Sequence, residues 1–124
     1  MAALELWHNP RCSKSRAALA LLEAQRRPFN LRLYLEAPPT REALAAVIQA
    51  LGLTPRSFLR RKEDAFKTLG LAEASEEACL DALVAHPVLI ERPVLVAGDR
   101  AALGRPDPTA LTALLDALAE ESSP

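Results

Sequence analysis

Cysteine is scarce in this chain, which has 2 cysteines among 124 residues. Cys12 and Cys79 lie far apart, and Ser15 stands where a second cysteine would complete a C-x-x-C pair with Cys12. So few cysteines exclude a framework of several disulfides. We therefore expect a reduced protein that is located in the cytoplasm.

Histidine and glycine are also scarce, with 2 and 4 residues respectively. His8 and His86 do not combine with the cysteines into the spacing of a zinc site. The glycines form neither a dinucleotide-binding fingerprint nor a phosphate loop. We expect no bound metal, flavin or nicotinamide.

Long apolar runs and a large net charge are missing as well. No stretch approaches the ~18 consecutive apolar residues of a membrane span, and the first residues lack the basic and apolar regions of a signal peptide. The formal net charge of −1 gives no reason to expect a nucleic-acid or membrane partner. The length predicts a single domain over residues 1–124. The lack of a large unpaired apolar stripe predicts a monomer.

What the sequence does contain is an ordered series of strand and helix patterns. Apolar patterning predicts strands at residues 4–7, 31–35, 94–97 and 101–103. Capping residues ahead of apolar residues at helical spacing predict helices that begin after Cys12, Thr40, Thr54, Ser75 and Asp107. The order is therefore a βαβ unit, several helices, and a ββα unit, which resembles the thioredoxin-like plan.

Cys12 lies in the turn between the first strand and the first helix. Arg11, Lys14 and Arg16 are its basic neighbours in sequence. Positive charge and the start of a helix both favour a thiolate over a thiol, and the N–H groups of a helix start bind oxyanions. The sequence therefore predicts a thiol enzyme that acts on an oxyanion. Cys79, on an apolar helical stripe with Leu83, is predicted to lie in the core.

Five motifs occur in order along nearly the whole chain, from about residue 4 to residue 118. They are HNPRCSKSR at 8–16, YLEAPPTR at 34–41, FLR at 58–60, HPVLIERP at 86–93 and GRP at 104–106. Together they resemble the glutaredoxin-dependent arsenate reductases. The resemblance implies an α/β, thioredoxin-like fold. Its mixed four-stranded sheet would be flanked by helices, with a helical insertion between the βαβ and ββα halves.

The resemblance also implies a reaction that uses one cysteine. Cys12 would attack arsenate, glutathione would add to the arsenic as a co-substrate, and glutaredoxin, a transient partner, would remove the glutathione so that arsenite departs. No bound cofactor is implied.

The same resemblance assigns the site residues. It places His8 beside the thiol, as a base, as an imidazolium that raises the thiolate fraction, or as part of the turn. It assigns arsenate binding to arginines, whose forked guanidinium suits a tetrahedral oxyanion. The substrate-binding set is Arg60, Arg92 and Arg105. The supporting set is Pro93 together with Asn9 and Ser15, which are chosen from their position in the loop and would hydrogen-bond either the sulfur or the turn. Pro93 is the candidate for the cis proline that precedes the third strand in thioredoxin-like proteins.

Three alternatives share parts of this pattern. A glutathione-dependent thiol reductase with another substrate would have the same thiol and fold. An Spx-type regulator that binds RNA polymerase would carry a C-x-x-C switch, which Ser15 removes here. Arsenate reductases of the phosphatase-like type carry a Cys-x5-Arg loop, and Ala18 stands where that arginine would be. The first alternative stays open, the second is disfavoured, and the third is excluded.

Overall fold

A computed structural model describes residues 3–105 and 107–121, so Pro106 of the last motif lies outside the described residues. These residues form four strands, which are β1 (Leu4–Trp7), β2 (Asn30–Arg32), β3 (Val94–Ala97) and β4 (Arg100–Leu103). The helices are α1 (Ser13–Ala24), α2 (Arg41–Ala50), α3 (Asp64–Thr68), α4 (Glu76–Ala85) and α5 (Thr109–Glu121). Short 3₁₀ helices occur at Arg56–Phe58, Leu71–Glu73 and Pro87–Leu89.

The chain divides into two compact units. One consists of Met1–Leu33 with Arg92–Pro124 and is called the sheet unit, and the other consists of Tyr34–Glu91 and is called the helical unit. The helical unit is the predicted insertion between the βαβ and ββα halves.

The sheet unit is built on a mixed four-stranded sheet with the strand order β2-β1-β3-β4. β1 is parallel to β2 and antiparallel to β3, and β3 is antiparallel to β4. Helix α1 connects the parallel pair, as the parallel geometry requires. The predicted mixed sheet is confirmed.

One face of this sheet carries the core of the unit. Leu6, Leu95 and Ala102 are direct neighbours across three strands, so they point to the same face. Leu22 of α1 and Leu115 of α5 belong to the same buried cluster. Both helices are therefore held to this face by apolar burial.

The strand ends place three loops side by side. Trp7 at the end of β1 pairs with Val94 at the start of β3, and Val94 pairs with Leu103 at the end of β4. Adjacent strands lie about 4.8 Å apart. Residues 8–12, 92–93 and 104–105 therefore gather at one end of the sheet, which we call the cysteine end.

The helical unit is organised by α2 and α4. Two of the three predicted caps in this unit are confirmed: the Thr40 hydroxyl accepts a hydrogen bond from the Ala43 N–H (3.1 Å), and the Ser75 hydroxyl accepts one from the Ala78 N–H (3.1 Å). Such caps satisfy N–H groups that have no partner within the helix. The cap predicted at Thr54 needs correction, because the N-cap residue of the short 3₁₀ helix there is Pro55, which makes no side-chain cap hydrogen bond. An ion pair between Arg41 at the start of α2 and an aspartate of α4 links the two helices.

Two predictions about secondary structure need correction. The second strand was predicted at 31–35, but β2 ends at Arg32. Beyond this point β1 also ends, and the backbone N–H of His8 makes the last bond, to the Arg32 carbonyl (2.9 Å), so residues 33–35 have no strand partner. The prediction also omits α3, which is too short to show an apolar period. No helix in residues 3–105 and 107–121 has the length and apolarity that a membrane span needs.

Candidate active site

The loop between β1 and α1 is shaped by Asn9. Its side-chain Oδ1 accepts a hydrogen bond from the Arg11 N–H (3.0 Å), and its carbonyl accepts one from the Cys12 N–H (3.0 Å). Asparagine favours such turns because its short side chain substitutes for a backbone acceptor. The structure thus places Asn9 in a turn that presents Cys12.

Two residues of α1 also hold this loop. Ser15 is buried, and its hydroxyl accepts a hydrogen bond from the Asn9 N–H (3.2 Å). Nη1 of Arg16 donates to the Pro10 carbonyl (2.9 Å). The sequence predicts Arg16 only as a nearby positive charge. The structure shows that Arg16 also links the loop to the helix that follows, through its bond to Pro10.

Cys12 is the N-cap residue of α1, with an extended backbone (φ −98°, ψ 124°) and a partly exposed side chain. Its carbonyl accepts the first hydrogen bond of the helix, from the Arg16 N–H (3.0 Å). The side chain makes no cap hydrogen bond, and the first turn carries no acidic residue. The sulfur therefore lies at the positive end of a helix without a competing carboxylate in that turn.

Arg92 is the most unusual charged group at the cysteine end. It is 8 % exposed, and its Nε and Nη1 are buried without a hydrogen-bond partner among the described residues. Burial of a guanidinium without compensation is unfavourable. An anion that accepted bonds from both nitrogens would compensate for that burial through charge-assisted hydrogen bonds. The bond between Arg92 and Pro93, the candidate cis proline of the sequence, is cis.

Arg105 follows β4 and approaches the same segment. Its Nη1 lies 3.4 Å from the Arg92 carbonyl oxygen, to which it donates. The Gly104 N–H donates to the Pro93 carbonyl (2.9 Å). A Cβ on Gly104 would lie 2.6 Å from Cγ of Pro93, so only glycine fits without a shift. Gly104 is not among the predicted site residues. The only feature of the sequence that points to it is its position directly before Arg105.

His8 is buried, with 3 % of its surface exposed, and its Nδ1 has no hydrogen-bond partner within the described part of the chain. Burial, reinforced by the positive charge of Arg16, lowers the pKa of His8 below its usual 6.5, although a hydrogen bond with the Ser15 backbone acts in the opposite direction. The imidazole is therefore neutral at pH 7. Of the three roles considered for His8, the lowered pKa disfavours the imidazolium and leaves the base and the turn residue, with His8 an uncharged donor or acceptor at neutral pH.

Arg60 belongs to the helical unit, and its guanidinium forms ion pairs. Its side chain is 18 % exposed and pairs with Glu63 (2.7 Å) and Glu91 (3.6 Å). Its backbone N–H donates to the Leu89 carbonyl (2.9 Å). Two carboxylates would therefore compete with any oxyanion for this guanidinium.

Comparison with known proteins places the chain in a family. The model of the ArsC family matches residues 7–113, which is most of the chain. The chain belongs to the ArsC family. The thioredoxin-like fold expected from the motifs is therefore confirmed, because solved ArsC-type structures share it.

Similar ArsC proteins come from several bacteria. The chain is 43% identical over 109 residues to the arsenate reductase of Neisseria meningitidis serogroup A, covering 86% of this chain and 93% of that protein. It is also 43% identical over 106 residues to the uncharacterized protein YfgD of Escherichia coli K12, covering 83% and 89%. The solved arsenate reductase from Vibrio cholerae aligns with a TM-score of 0.82 at 41% identity, covering 90% of this chain and 97% of that one.

Proposed function

We propose that this ArsC protein reduces arsenate to arsenite with Cys12 as its nucleophile, and that glutathione and glutaredoxin supply the electrons. The observation that carries the proposal is Arg92, whose buried Nε and Nη1 have no partner among the described residues, at the end of the sheet that also presents a partly exposed N-cap cysteine. The relatives from Neisseria meningitidis and Vibrio cholerae bear the name arsenate reductase.

The first step is an attack by the Cys12 thiolate on the arsenic of arsenate. An S–As bond forms, and one oxygen leaves as water after it is protonated. Arsenic stays As(V) in this step. Arg92 and Arg105 lower the barrier by offsetting negative charge that builds on the remaining oxygens. The N–H groups at the start of α1 act in the same direction.

The next steps change the oxidation state of arsenic. Glutathione adds through its sulfur, and a second oxygen leaves as water. The glutaredoxin thiolate then attacks the glutathione sulfur, which forms a mixed disulfide. The electron pair of the broken S–As bond stays on arsenic and makes it As(III). Water replaces Cys12 on arsenic, and arsenite leaves. These reductants place the reaction in the cytoplasm.

The other site residues support this chemistry without touching arsenic. Asn9 and Ser15 hold the loop that presents the sulfur. Neutral His8 is able to accept a proton from the Cys12 thiol as it ionises. Arg60 pairs with Glu63 and Glu91, and its role as an arsenate ligand stays a prediction from the resemblance.

The test is oxidation of NADPH by the purified protein with glutathione, glutaredoxin and glutathione reductase. We expect oxidation that depends on arsenate and saturates with it. NADPH oxidation that is the same with and without arsenate would show that the substrate is wrong.

A second measurement tests the anion site without turnover. Iodoacetamide should alkylate Cys12 and leave buried Cys79 unmodified. Arsenate should slow the alkylation of Cys12 because the bound anion covers the sulfur. An alkylation rate that is independent of arsenate would argue against an oxyanion site at Cys12.

One observation favours a second candidate, a glutathione-dependent thiol reductase with another substrate. Arg60 is an expected oxyanion ligand, yet it pairs with two carboxylates. If only Arg92 and Arg105 bind the substrate, a less highly charged group would suit the site. Turnover of glutathione mixed disulfides without any response to arsenate would select this candidate.

A further inference from the structure

A cavity of about 290 Å³ opens in the sheet unit beside the first turn of α1. It begins at Ser13, the residue after Cys12, and reaches Asp107 and Leu111 at the start of α5. We call it the α1–α5 cavity. Ligand pockets span about 300–1,000 Å³, so this volume suits part of a small molecule whose remainder extends toward Cys12. None of the site residues assigned so far lines it except Gly104.

The floor of the α1–α5 cavity is apolar and tightly built. Leu111 and Gly104 are buried, and Ala17 and Pro108 form exposed walls. A Cβ on Gly104 would lie 3.1 Å from Cδ1 of Leu111 as well as against the Pro93 ring. The floor therefore rests directly on the cis-proline segment of the site.

The rim carries one charge of each sign. Lys14 and Asp107 both line the opening. Asp107 accepts a hydrogen bond from the Thr109 N–H (2.9 Å) through Oδ1. Hydrogen bonds with Thr109 and, to a smaller extent, the positive charge of Lys14 lower the pKa of the Asp107 carboxyl below 3.8. The carboxyl is therefore ionised at neutral pH. A cation and an anion around an apolar floor complement a ligand that carries both kinds of charge and short aliphatic segments between its polar groups.

We propose that the α1–α5 cavity binds the thiol co-substrate, a small zwitterionic peptide thiol of the glutathione class. Lys14 attracts a carboxylate of the ligand, Asp107 attracts its ammonium group, and the aliphatic part packs on Ala17 and Leu111. The thiol end then lies over the start of α1, where it can add to arsenic on Cys12. This assignment rests on the proposed function, which requires a second thiol at the same arsenic atom.

The experiment uses S-methylglutathione, a probe that keeps the ammonium group and both carboxylates of glutathione but cannot react. It is titrated into the full chain carrying Cys12→Ser and followed by amide NMR shifts, with no arsenate present. We expect saturable shifts at residues that line the cavity. Ala17→Trp fills the space and should weaken binding at least about tenfold, as the loss of several packed groups would.

Charge variants sharpen the test. Lys14→Gln and Asp107→Asn should each weaken binding about two- to fivefold, which is the range for an exposed charge contact. Asparagine keeps the hydrogen bond to Thr109, so the start of α5 stays capped. The matched controls Lys67→Gln on α3 and Asp116→Asn on α5 change exposed residues away from the cavity. They should leave the affinity unchanged.

The outcomes separate this inference from the proposed function. If Ala17→Trp binds S-methylglutathione as well as the parent protein, or if the shifts map elsewhere, the cavity assignment is wrong even where arsenate reduction is active. If the probe binds the cavity but the wild-type chain shows no arsenate-dependent turnover, the cavity assignment stands and the proposed function fails.

Discussion

Two regions of the molecule each hold one of the 2 cysteines and one of the 2 histidines of the chain, in opposite arrangements. At the cysteine end of the sheet, Cys12 is partly exposed and His8 is buried. On α4, Cys79 is 0 % exposed, and His86, the C-cap residue, is exposed. The cysteine is accessible and the histidine buried in the first region, and the reverse holds in the second.

The difference follows from where each cysteine lies on its helix. Cys12 precedes the first turn of α1, where backbone N–H groups make the field positive. Cys79 lies within α4, and its thiol donates only weakly to the Leu71 carbonyl, with a sulfur–oxygen distance of 3.7 Å. A thiolate there would lack both water and a counter-charge. The position of a cysteine on its helix therefore determines whether its thiolate is stabilised.

The largest expected effect is on activity when each cysteine is replaced. Cys12→Ser should reduce arsenate-dependent NADPH oxidation by at least about 10³-fold, because a serine hydroxyl is not ionised at pH 7 and removal of a nucleophile costs that much or more. Cys79→Ser should retain most of the activity. Steady-state rates in the coupled assay decide this. Equal losses in the two variants would remove the proposed distinction between the regions.

The next largest expected effect is on the KM for arsenate when an arginine of either region is replaced. Arg92→Ala should raise the KM for arsenate about 10- to 100-fold, the value of charge-assisted hydrogen bonds from a desolvated donor. Its free energy of unfolding should change little, because the packing lost with the buried side chain is offset by the removal of Nε and Nη1, which have no partners among the described residues.

The matched variant is Arg41→Ala, since Arg41 faces α4 and pairs with Glu77 (4.0 Å) and Asp81. Its KM for arsenate should equal that of the wild type. An unchanged KM in Arg92→Ala would exclude that guanidinium from the substrate site.

Much of this contrast could be predicted from the sequence, because it depends on local patterns. The turn before α1 and the helical stripe around Cys79 follow from spacing alone, and both placements agree with the structure. Pro93 is a candidate for a cis proline only through the thioredoxin-like plan, and the sequence does not decide the isomer, which is cis.

What could not be predicted depends on contacts between distant residues. The burial of His8, and the lack of partners for Nε and Nη1 of Arg92 within residues 3–105 and 107–121, result from the packing of several elements. The ion pair of Arg60 with Glu91 joins residues that are 31 positions apart, as the numbering shows. β2 ends early because its partner strand ends, which no pattern within residues 31–35 records.

A smaller effect concerns stability and reverses the order of the two cysteines. Cys79→Ser should lower the free energy of unfolding by about 1–2 kcal/mol, because a hydroxyl costs more to bury than a thiol even when the Leu71 carbonyl accepts its proton. Cys12→Ser should change it by less than about 0.5 kcal/mol, as is usual for accessible positions. Urea unfolding of both variants measures the difference. A larger loss for Cys12→Ser would contradict the burial contrast.

The smallest effect is the pH dependence of stability that His8 contributes. Its pKa in the folded protein lies below 6.5 because burial disfavours the charged form. As the pH falls through 6.5, the unfolded chain therefore binds a proton that the folded chain binds only at lower pH. The free energy of unfolding should fall over this interval and level off below the folded pKa.

His8→Asn should reduce that fall, whereas His86→Asn should retain it because the His86 imidazole is exposed at the end of α4. Urea midpoints compared at about pH 7.5 and about pH 5.5, above the ordinary carboxyl pKa values, isolate the histidine contribution. The readout is the change in the urea midpoint between the two pH values. The absolute midpoints are not compared, because a buried Asn changes the stability at both pH values. If His8→Asn and the wild type lose the same stability over this range, His8 is already accessible to protons in the folded state. The opposite solvent access of the two regions would then hold for the cysteines but not for the histidines.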